Sequence, residues 1–215
     1  FTAYVFIEIN TLAAAGLVMM RQHGRARLIH PDSRDSGEPF GARLKSHYAD
    51  KADIARHALG WISEGMTIAL DASSTCFHLA RQLPDIDLTV FTNSLPVCHE
   101  MAKRERITLI CSGGTLERKY RCYVNPALVT QLKGLEIDLF IFSCEGVDEH
   151  GVLWDPSEHN AGFKALLLNR ASQSLLLIDK SKFMRASEVK IGQLSQVTQI
   201  IQSDKRQAAR DGLTR

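Results

Sequence analysis

Thr67-Ile68-Ala69-Leu70-Asp71-Ala72-Ser73-Ser74-Thr75 decides the fold. An apolar run of strand length passes into a short polar turn, and the chain then continues as a helix through Leu83. The same unit recurs downstream. Leu88-Thr89-Val90-Phe91 runs into Thr92-Asn93-Ser94 and a helix to about Lys103. Ile107 to Cys111 runs into Ser112-Gly113-Gly114-Thr115, and a helix is expected near residues 125–134. Asp138 to Phe142 leads to Cys144-Glu145-Gly146, with a helix expected near 158–172. Ser174 to Ile178 leads to Asp179-Lys180-Ser181-Lys182, and Val197 to Ile201 is one more candidate strand. Short apolar strands alternating with amphipathic helices imply an α/β fold with a mostly parallel sheet and helices on both faces.

Upstream, apolar residues at Ala52, Ala55, Leu59 and Ile62 mark a helix over residues 46–62, with Ser46 as its expected N-cap and Gly65 as its end. Residues 32–41 carry turn formers and charge and read as a linker, expected to extend over 31–45. Residues 21–31 are basic. Glu8 and Asn10 interrupt the apolar residues 1–20, which fall short of a membrane span, and no basic segment precedes them as in a signal peptide. That stretch begins at Phe1 instead of Met and reads as a fragment boundary or an aberrant N-terminus. The domain expectation is therefore an unassigned segment over 1–30, a linker over 31–45 and one α/β domain over 46–215.

The bulk numbers fit this picture. Of 215 residues, 45% are hydrophobic and 23% charged, as in ordinary globular proteins. A net charge of +2 is too mild to mark the whole chain as nucleic-acid-binding. Cys76, Cys98, Cys111, Cys122 and Cys144 are odd in number and lack CxxC spacing, so they read as small core residues of a cytoplasmic protein, not as disulfides or a metal site. Neither a metal nor a cofactor is expected. His47, His57, His78 and His99 read as surface residues of helices.

In open α/β sheets, ligands bind beyond the carboxyl ends of the strands. Here those ends carry Asp71 and Ser73-Ser74-Thr75, then Thr92-Asn93-Ser94, Gly113-Gly114-Thr115, Glu145-Gly146 with Asp148, and Lys182. Hydroxyls and free amides at a helix N-terminus suit a phosphate, although the same residues also serve as plain helix caps. Gly113-Gly114 allows close backbone approach to a ligand or an ordinary turn. Lys182 offers a point charge to an anion or to solvent. Glu145, Asp148 and Asp179 could read sugar hydroxyls, act as a general base or cap turns. Trp154, between His150 and His159, would stack on a sugar or pack a lid. No GxxxxGK[ST] occurs and no GxGxxG follows the first strand, which disfavours nucleotides. A small phosphorylated metabolite fits the set better, provided that Ser74, Gly114 and Lys182 surround a common hollow. An isomerase with Glu145 as base and a purely structural oligomerisation module are the competing readings.

From about Arg21 to Asp204 the chain also resembles DeoR-type regulators of bacterial carbohydrate operons. The matching stretches are RQHGRARL, PFGARL, KADIARHAL, GMTIALDASST, VFTNSLPVCHEMA, LICSGGTLERKY, DLFIFSCEGVD and LLLIDKSKF, in the expected order. The resemblance implies a sensor domain with the fold of ribose-5-phosphate isomerase, binding a phosphorylated sugar and acting as a regulator instead of an enzyme. RLKSHYADKADIA and CEGVD are similar to the fucose branch of that family, for which the effector would be L-fuculose 1-phosphate. By position it places Ser73, Ser74 and Thr75 on the phosphate, Thr92 to Ser94 and Gly113 to Thr115 along the pocket, Glu145 and Asp148 on hydroxyls, and Lys182 closing the anion site. It also implies a homo-oligomer off the membrane that reaches operator DNA through an N-terminal winged helix-turn-helix. Only the last part of that element, residues 22–27, is recognisable here, so DNA binding is expected of the full-length regulator instead of this chain alone.

Overall fold

A computed structural model describes residues 18–21, 25–28, 35 and 37–203. The chain divides into two units, Phe1–Asp35 and Ser36–Arg215. In the first, β1 (Val18–Arg21) and β2 (Arg25–Leu28) form an antiparallel hairpin. The rest of the expected N-terminal segment, including residues 22–24 and 29–30, lies outside the described residues, as do residues 31–34 and 36 of the expected linker.

In the second unit, the end of that expected linker is helical. Helix α1 (Phe40–Lys45) buries Phe40, whose amide donates to the Lys119 carbonyl at 2.9 Å. Helix α2 (Tyr48–Ala58) starts two residues later than expected. Ser46 caps the end of α1 instead of the start of α2: its amide donates to the Ala42 carbonyl and its hydroxyl to the Arg43 carbonyl. The buried residues of α2 are Lys51, Ile54, Ala55 and Ala58, a stripe that includes a lysine.

The main sheet follows in chain order: β3 (Thr67–Leu70), α3 (Ser74–Gln82), β4 (Leu88–Thr92), α4 (Leu95–Met101) and β5 (Ile107–Cys111). A hairpin of β6 (Thr115–Glu117) and β7 (Cys122–Val124) comes next, then the short α5 (Leu128–Gln131) and β8 (Leu139–Phe142). After β9 (Gly146–Val147), β10 (Val152–Asp155) and α6 (Glu158–Leu168) come β11 (Gln173–Leu177), β12 (Val189–Gln193) and β13 (Gln199–Ile201). Six strands pair in the order β13-β11-β8-β3-β4-β5, and every pairing is parallel. Strands β12, β10 and β9 form a separate antiparallel sheet.

Successive strand residues point to opposite faces, and here both faces are buried. Ile68, Leu70, Val90, Leu139, Ile141, Leu175 and Leu177 pack on the face covered by Ile54, Ala58, Leu79, Val97 and Met101 of α2, α3 and α4. Ala69, Phe91, Phe140, Phe142 and Leu176 pack on the other, under Phe163 and Leu167 of α6 together with Val147, Leu153 and Ile191 of the small sheet. The second face is thus roofed by helix and sheet together. Phe140 and Phe142 stack at 4.7 Å. All five cysteines are free thiols, three of them buried. Burial pushes the Cys122 thiol up to about 12 and the Cys144 thiol to about 11. His78, expected at the surface, is buried on α3 with its ring edge-on to Tyr48 at 4.7 Å, and desolvation lowers its pKa.

From β3 the chain steps outward to β4 and β5, then crosses back to place β8 on the other side of β3. Loops leaving β3 and β8 therefore diverge, which opens a crevice at their carboxyl ends. Gly114 takes φ +98°, and a Cβ there would lie 2.2 Å from the Val124 carbonyl oxygen across the β6–β7 hairpin. Gly114→Ala is expected to lose about 1–3 kcal/mol from backbone strain alone, with the clash adding to it. Urea unfolding of the two chains measures the difference.

Candidate functional site

The β3–β8 crevice is built around Asp71, which is fully buried. One carboxylate oxygen accepts the Ser73 amide at 3.0 Å and the other accepts the Ser143 amide at 3.1 Å. Lys164 of α6 lies 3.2 Å from Asp71 and forms a closer ion pair with Asp155 at the end of β10. Burial favours the neutral acid at Asp71, but Lys164 and the hydrogen bonds around Ser73 win, and the carboxyl sits below its ordinary value. The Lys164 ammonium is held above its ordinary value by the two carboxylates in spite of its desolvation. Asp71 is thus a structural tie between two strand ends.

Several neighbouring expected residues are also committed to the backbone. The Ser73 hydroxyl caps α3 by accepting the Cys76 amide at 3.1 Å. Thr92 Oγ1 donates to the Leu70 carbonyl at 2.7 Å and accepts the Ser94 amide at 3.1 Å, while Ser94 Oγ caps α4 through the Val97 amide. Ser74 and Thr75 are buried at the start of α3, and among the described residues their hydroxyls are not tied into this capping network. Two buried polar atoms at strand ends, Asn93 Oδ1 after β4 and Ser143 Oγ after β8, have no hydrogen-bond partner among the described residues. A buried unpaired group costs about 1–3 kcal/mol and demands an explanation.

Beside this crevice, beyond the ends of β8 and β11, lies a cavity of about 400 Å³. Glu38, Arg43, Ser46 and His47 line it from the α1 region, Lys51 from α2, Glu145 from the end of β8, and Asp179, Ser181, Lys182 and Arg185 from beyond β11. Four cationic side chains thus face three carboxylates. Lys182 Nζ donates to the Cys144 carbonyl at 2.7 Å, and Arg185 pairs with Glu145 at 2.7 Å. Asp179 accepts from the Ser181 amide at 3.0 Å and from the Ser181 hydroxyl. Burial, then the charges of Lys182 and Arg43, lower the Lys51 ammonium to about 8, with Asp179 and Glu38 opposing. Burial and Arg43 lower Lys182 as well. Such a group of cations, with Lys51 buried, Arg43 and Lys182 half-buried and Arg185 exposed, suits an anion.

Of the expected site residues, Glu145 and Lys182 line this cavity, with Gly146 in the adjoining backbone. Gly146 is needed there because a Cβ would lie 2.2 Å from the Arg185 carbonyl oxygen. Ser73, Ser74, Thr75, Thr92, Asn93 and Ser94 occupy the neighbouring strand ends but do not line it. Gly113, Gly114 and Thr115 lead from the edge strand β5 into the β6–β7 hairpin, and neither they nor Ser74 line the cavity that Lys182 lines. Asp148 braces the β9–β10 turn: it accepts the His150 and Val152 amides and Trp154 Nε1 at 2.9, 2.8 and 2.9 Å. These bonds outweigh its desolvation and hold its carboxyl below the ordinary value. Trp154 therefore packs the turn, and His150 and His159 are exposed. Sequence reasoning missed Arg43, Lys51, Lys164 and Arg185. The visible signal for Lys51 and Lys164 was a lysine on the apolar stripe of a helix.

A family model for the DeoR C-terminal sensor domain matches residues 46–204. The L-fucose operon activator of Escherichia coli (strain K12) is 67% identical over 202 residues, covering 94% of this chain and 82% of that protein. Among solved structures, eIF2B delta from Chaetomium thermophilum is similar with a TM-score of 0.51 at 15% identity, over 75% of this chain and 58% of that one. A ribose 5-phosphate isomerase from Methanocaldococcus jannaschii is similar with a TM-score of 0.49 at 18% identity, over 64% and 55%.

Lys164→Met would leave Asp71 and Asp155 as two buried, unpaired carboxylates. The expected cost is about 3–5 kcal/mol in urea unfolding at pH 7. The sign with pH follows from the two shifts. Depressed Asp71 contributes above its unfolded value of 3.8 and loses that contribution as pH falls through its folded value. Raised Lys164 contributes below its unfolded value of 10.5 and loses it as pH rises through its folded one. The penalty of the substitution should therefore be greatest between those limits.

Proposed function

This chain belongs to the DeoR family of transcription regulators, and we propose that its cationic cavity is the effector site, binding a phosphorylated sugar such as L-fuculose 1-phosphate. The observation that carries the reading is the grouping of Arg43, Lys51, Lys182 and Arg185 around a cavity of about 400 Å³ beside the β3–β8 switch point. A phosphoryl dianion would compensate this charge through charge-assisted hydrogen bonds, while Glu145 and Asp179 would accept from sugar hydroxyls. The unpaired Asn93 Oδ1 and Ser143 Oγ mark the adjacent strand ends as polar ground that a sugar could satisfy after local rearrangement. The Ser74 and Thr75 hydroxyls at the start of α3 supply further donors on that side. No helix among the described residues is long and apolar enough to cross a membrane. A cytoplasmic homo-oligomer that contacts a repeated operator through the full-length regulator would complete the scheme.

The isomerase alternative rests on Glu145 as a base. That carboxylate is paired with Arg185 at 2.7 Å, which suits binding better than proton abstraction.

A thermal-shift titration of the whole chain tests the proposal. L-fuculose 1-phosphate at a hundredfold its dissociation constant should add about 2.7 kcal/mol, or roughly 5–10 °C for a chain of this length. Lys182→Gln should weaken binding about tenfold or more, since a hydrogen bond to a charged group contributes about 1.5–3 kcal/mol. If no sugar phosphate raises the melting temperature at millimolar concentration, the proposal fails.

Affinity should also depend on pH. The phosphoryl group gains its second charge above about pH 6. Lys51 in the free protein loses its proton around pH 8. Binding measured by calorimetry should therefore be tightest between those values and weaken as pH rises past 8, with proton uptake accompanying binding in that upper range. Lys51→Gln should remove the upper limb of that profile.

A further inference from the structure

We propose that Lys51 is a relay: its ammonium clamps the carboxyl end of α1, and an anion entering the cavity takes that ammonium at the expense of the clamp. The inference rests on the reading of the cavity as the effector site and concerns how occupancy is passed on.

An ammonium has three N–H donors. Lys51 uses its donors on the Arg43 carbonyl, on the Ser46 carbonyl at 2.8 Å and on the Ser46 hydroxyl at 3.3 Å. The side chain also lines the cavity and is only 4% exposed. It therefore has no spare donor for a ligand, and any direct hydrogen bond to an anion must replace one of these three. Each of the three holds the same place, the last turn of α1 and the residue after it.

Helix α1 is poorly able to do without them. It has six residues and no side-chain N-cap, far below the length at which a helix stands alone. Its amino end is anchored independently, by the buried Phe40 ring and the Phe40 amide on the Lys119 carbonyl. Its carboxyl end depends on Lys51 and Ser46, so that is the end able to shift. Arg43 on the same helix also faces the cavity, so an anion would act on α1 twice, by attracting Arg43 and by withdrawing Lys51. The electrostatics favour the exchange. Lys182, Arg43, Asp179 and Glu38 act on Lys51 around the cavity, and the net effect together with burial disfavours its charge until an anion arrives. His78, on the adjoining α3, is held neutral-leaning by burial and by Lys51 itself, and adds no compensating charge.

Amide hydrogen exchange on the whole chain, with and without L-fuculose 1-phosphate and with inorganic phosphate as a second probe, reads the clamp directly. The amides of Ala42 and Arg43 donate to the Pro39 carbonyl and that of Ser46 to the Ala42 carbonyl. They should exchange several-fold faster in the presence of a probe that raises the melting temperature. Ser46→Ala removes one acceptor from the clamp and should bind that probe several-fold more tightly, with α1 amides already faster in its absence. If Ser46 were merely a contact to the ligand, the same substitution would weaken binding. A probe that raises the melting temperature while α1 exchange slows or stays unchanged, or a Ser46→Ala chain that binds more weakly, overturns the relay and leaves the effector site standing. Absence of any thermal shift overturns the site and the relay together.

Discussion

The ion-paired core of Asp71, Lys164 and Asp155 is the constraint on which the rest of this structure depends. It draws on three separate pieces of chain: the end of β3, the end of β10 and the middle of α6. Asp71 also fixes the first amides of two diverging loops, those of Ser73 and Ser143. Taking such charges out of water costs several kcal/mol per ion, and only close pairing with full hydrogen bonding repays it. The alternatives are therefore poor: a crevice displaced by one residue would strand a charge in the core. One of these loops, the one after Ser143, goes on to Glu145 and so to the cavity wall, which ties that part of the cavity to the electrostatic requirement at the switch point.

The strands were legible because each is a continuous apolar run bounded by polar turns. Leu139 to Phe142 is buried throughout and Ile68 to Leu70 likewise, and in a parallel sheet covered on both faces such a run has few other fates. What remained hidden was what depends on partners distant in sequence. Strand β6 has three partly exposed residues and pairs because Gly114 permits the hairpin; β9 has two residues and exists only through β10. The expected stripe of α2 was displaced by one position, because a lysine at 51 looked like a solvent residue. With Lys51 counted as inward, Lys51, Ile54, Ala55 and Ala58 form one face at the helical spacing.

The candidate site was legible to the same degree. The sequence leaves each polar strand end open to two uses, a ligand contact or a cap. Ser73, Thr92 and Ser94 spend their hydroxyls on caps and loop ties, and Asp148 spends its carboxylate on a turn. These are the bonds that a sharp strand-to-helix turn requires whether or not a ligand exists. Glu145 and Lys182 do reach the cavity. Their companions Arg43 and Lys51 arrive from helices that precede the sheet, and no spacing rule links residue 51 to residue 182.

The two inward lysines show how similar burial serves different ends. Lys164 is 3% exposed and meets two carboxylates, so its charge is compensated within the chain and its proton is held more firmly than in water. Lys51 is 4% exposed and its direct partners are carbonyls and a hydroxyl; burial and the charges of Lys182 and Arg43 outweigh Asp179 and Glu38, so its proton is held less firmly. A compensated buried ion is part of the scaffold, since removing either partner only costs stability. A buried ammonium held only by dipoles can exchange one of them for an entering anion. Lys164 has carboxylates as direct partners and Lys51, among the described residues, has only dipoles; on the effector-site reading that difference makes Lys51, instead of Lys164, the residue through which an anion can alter this fold.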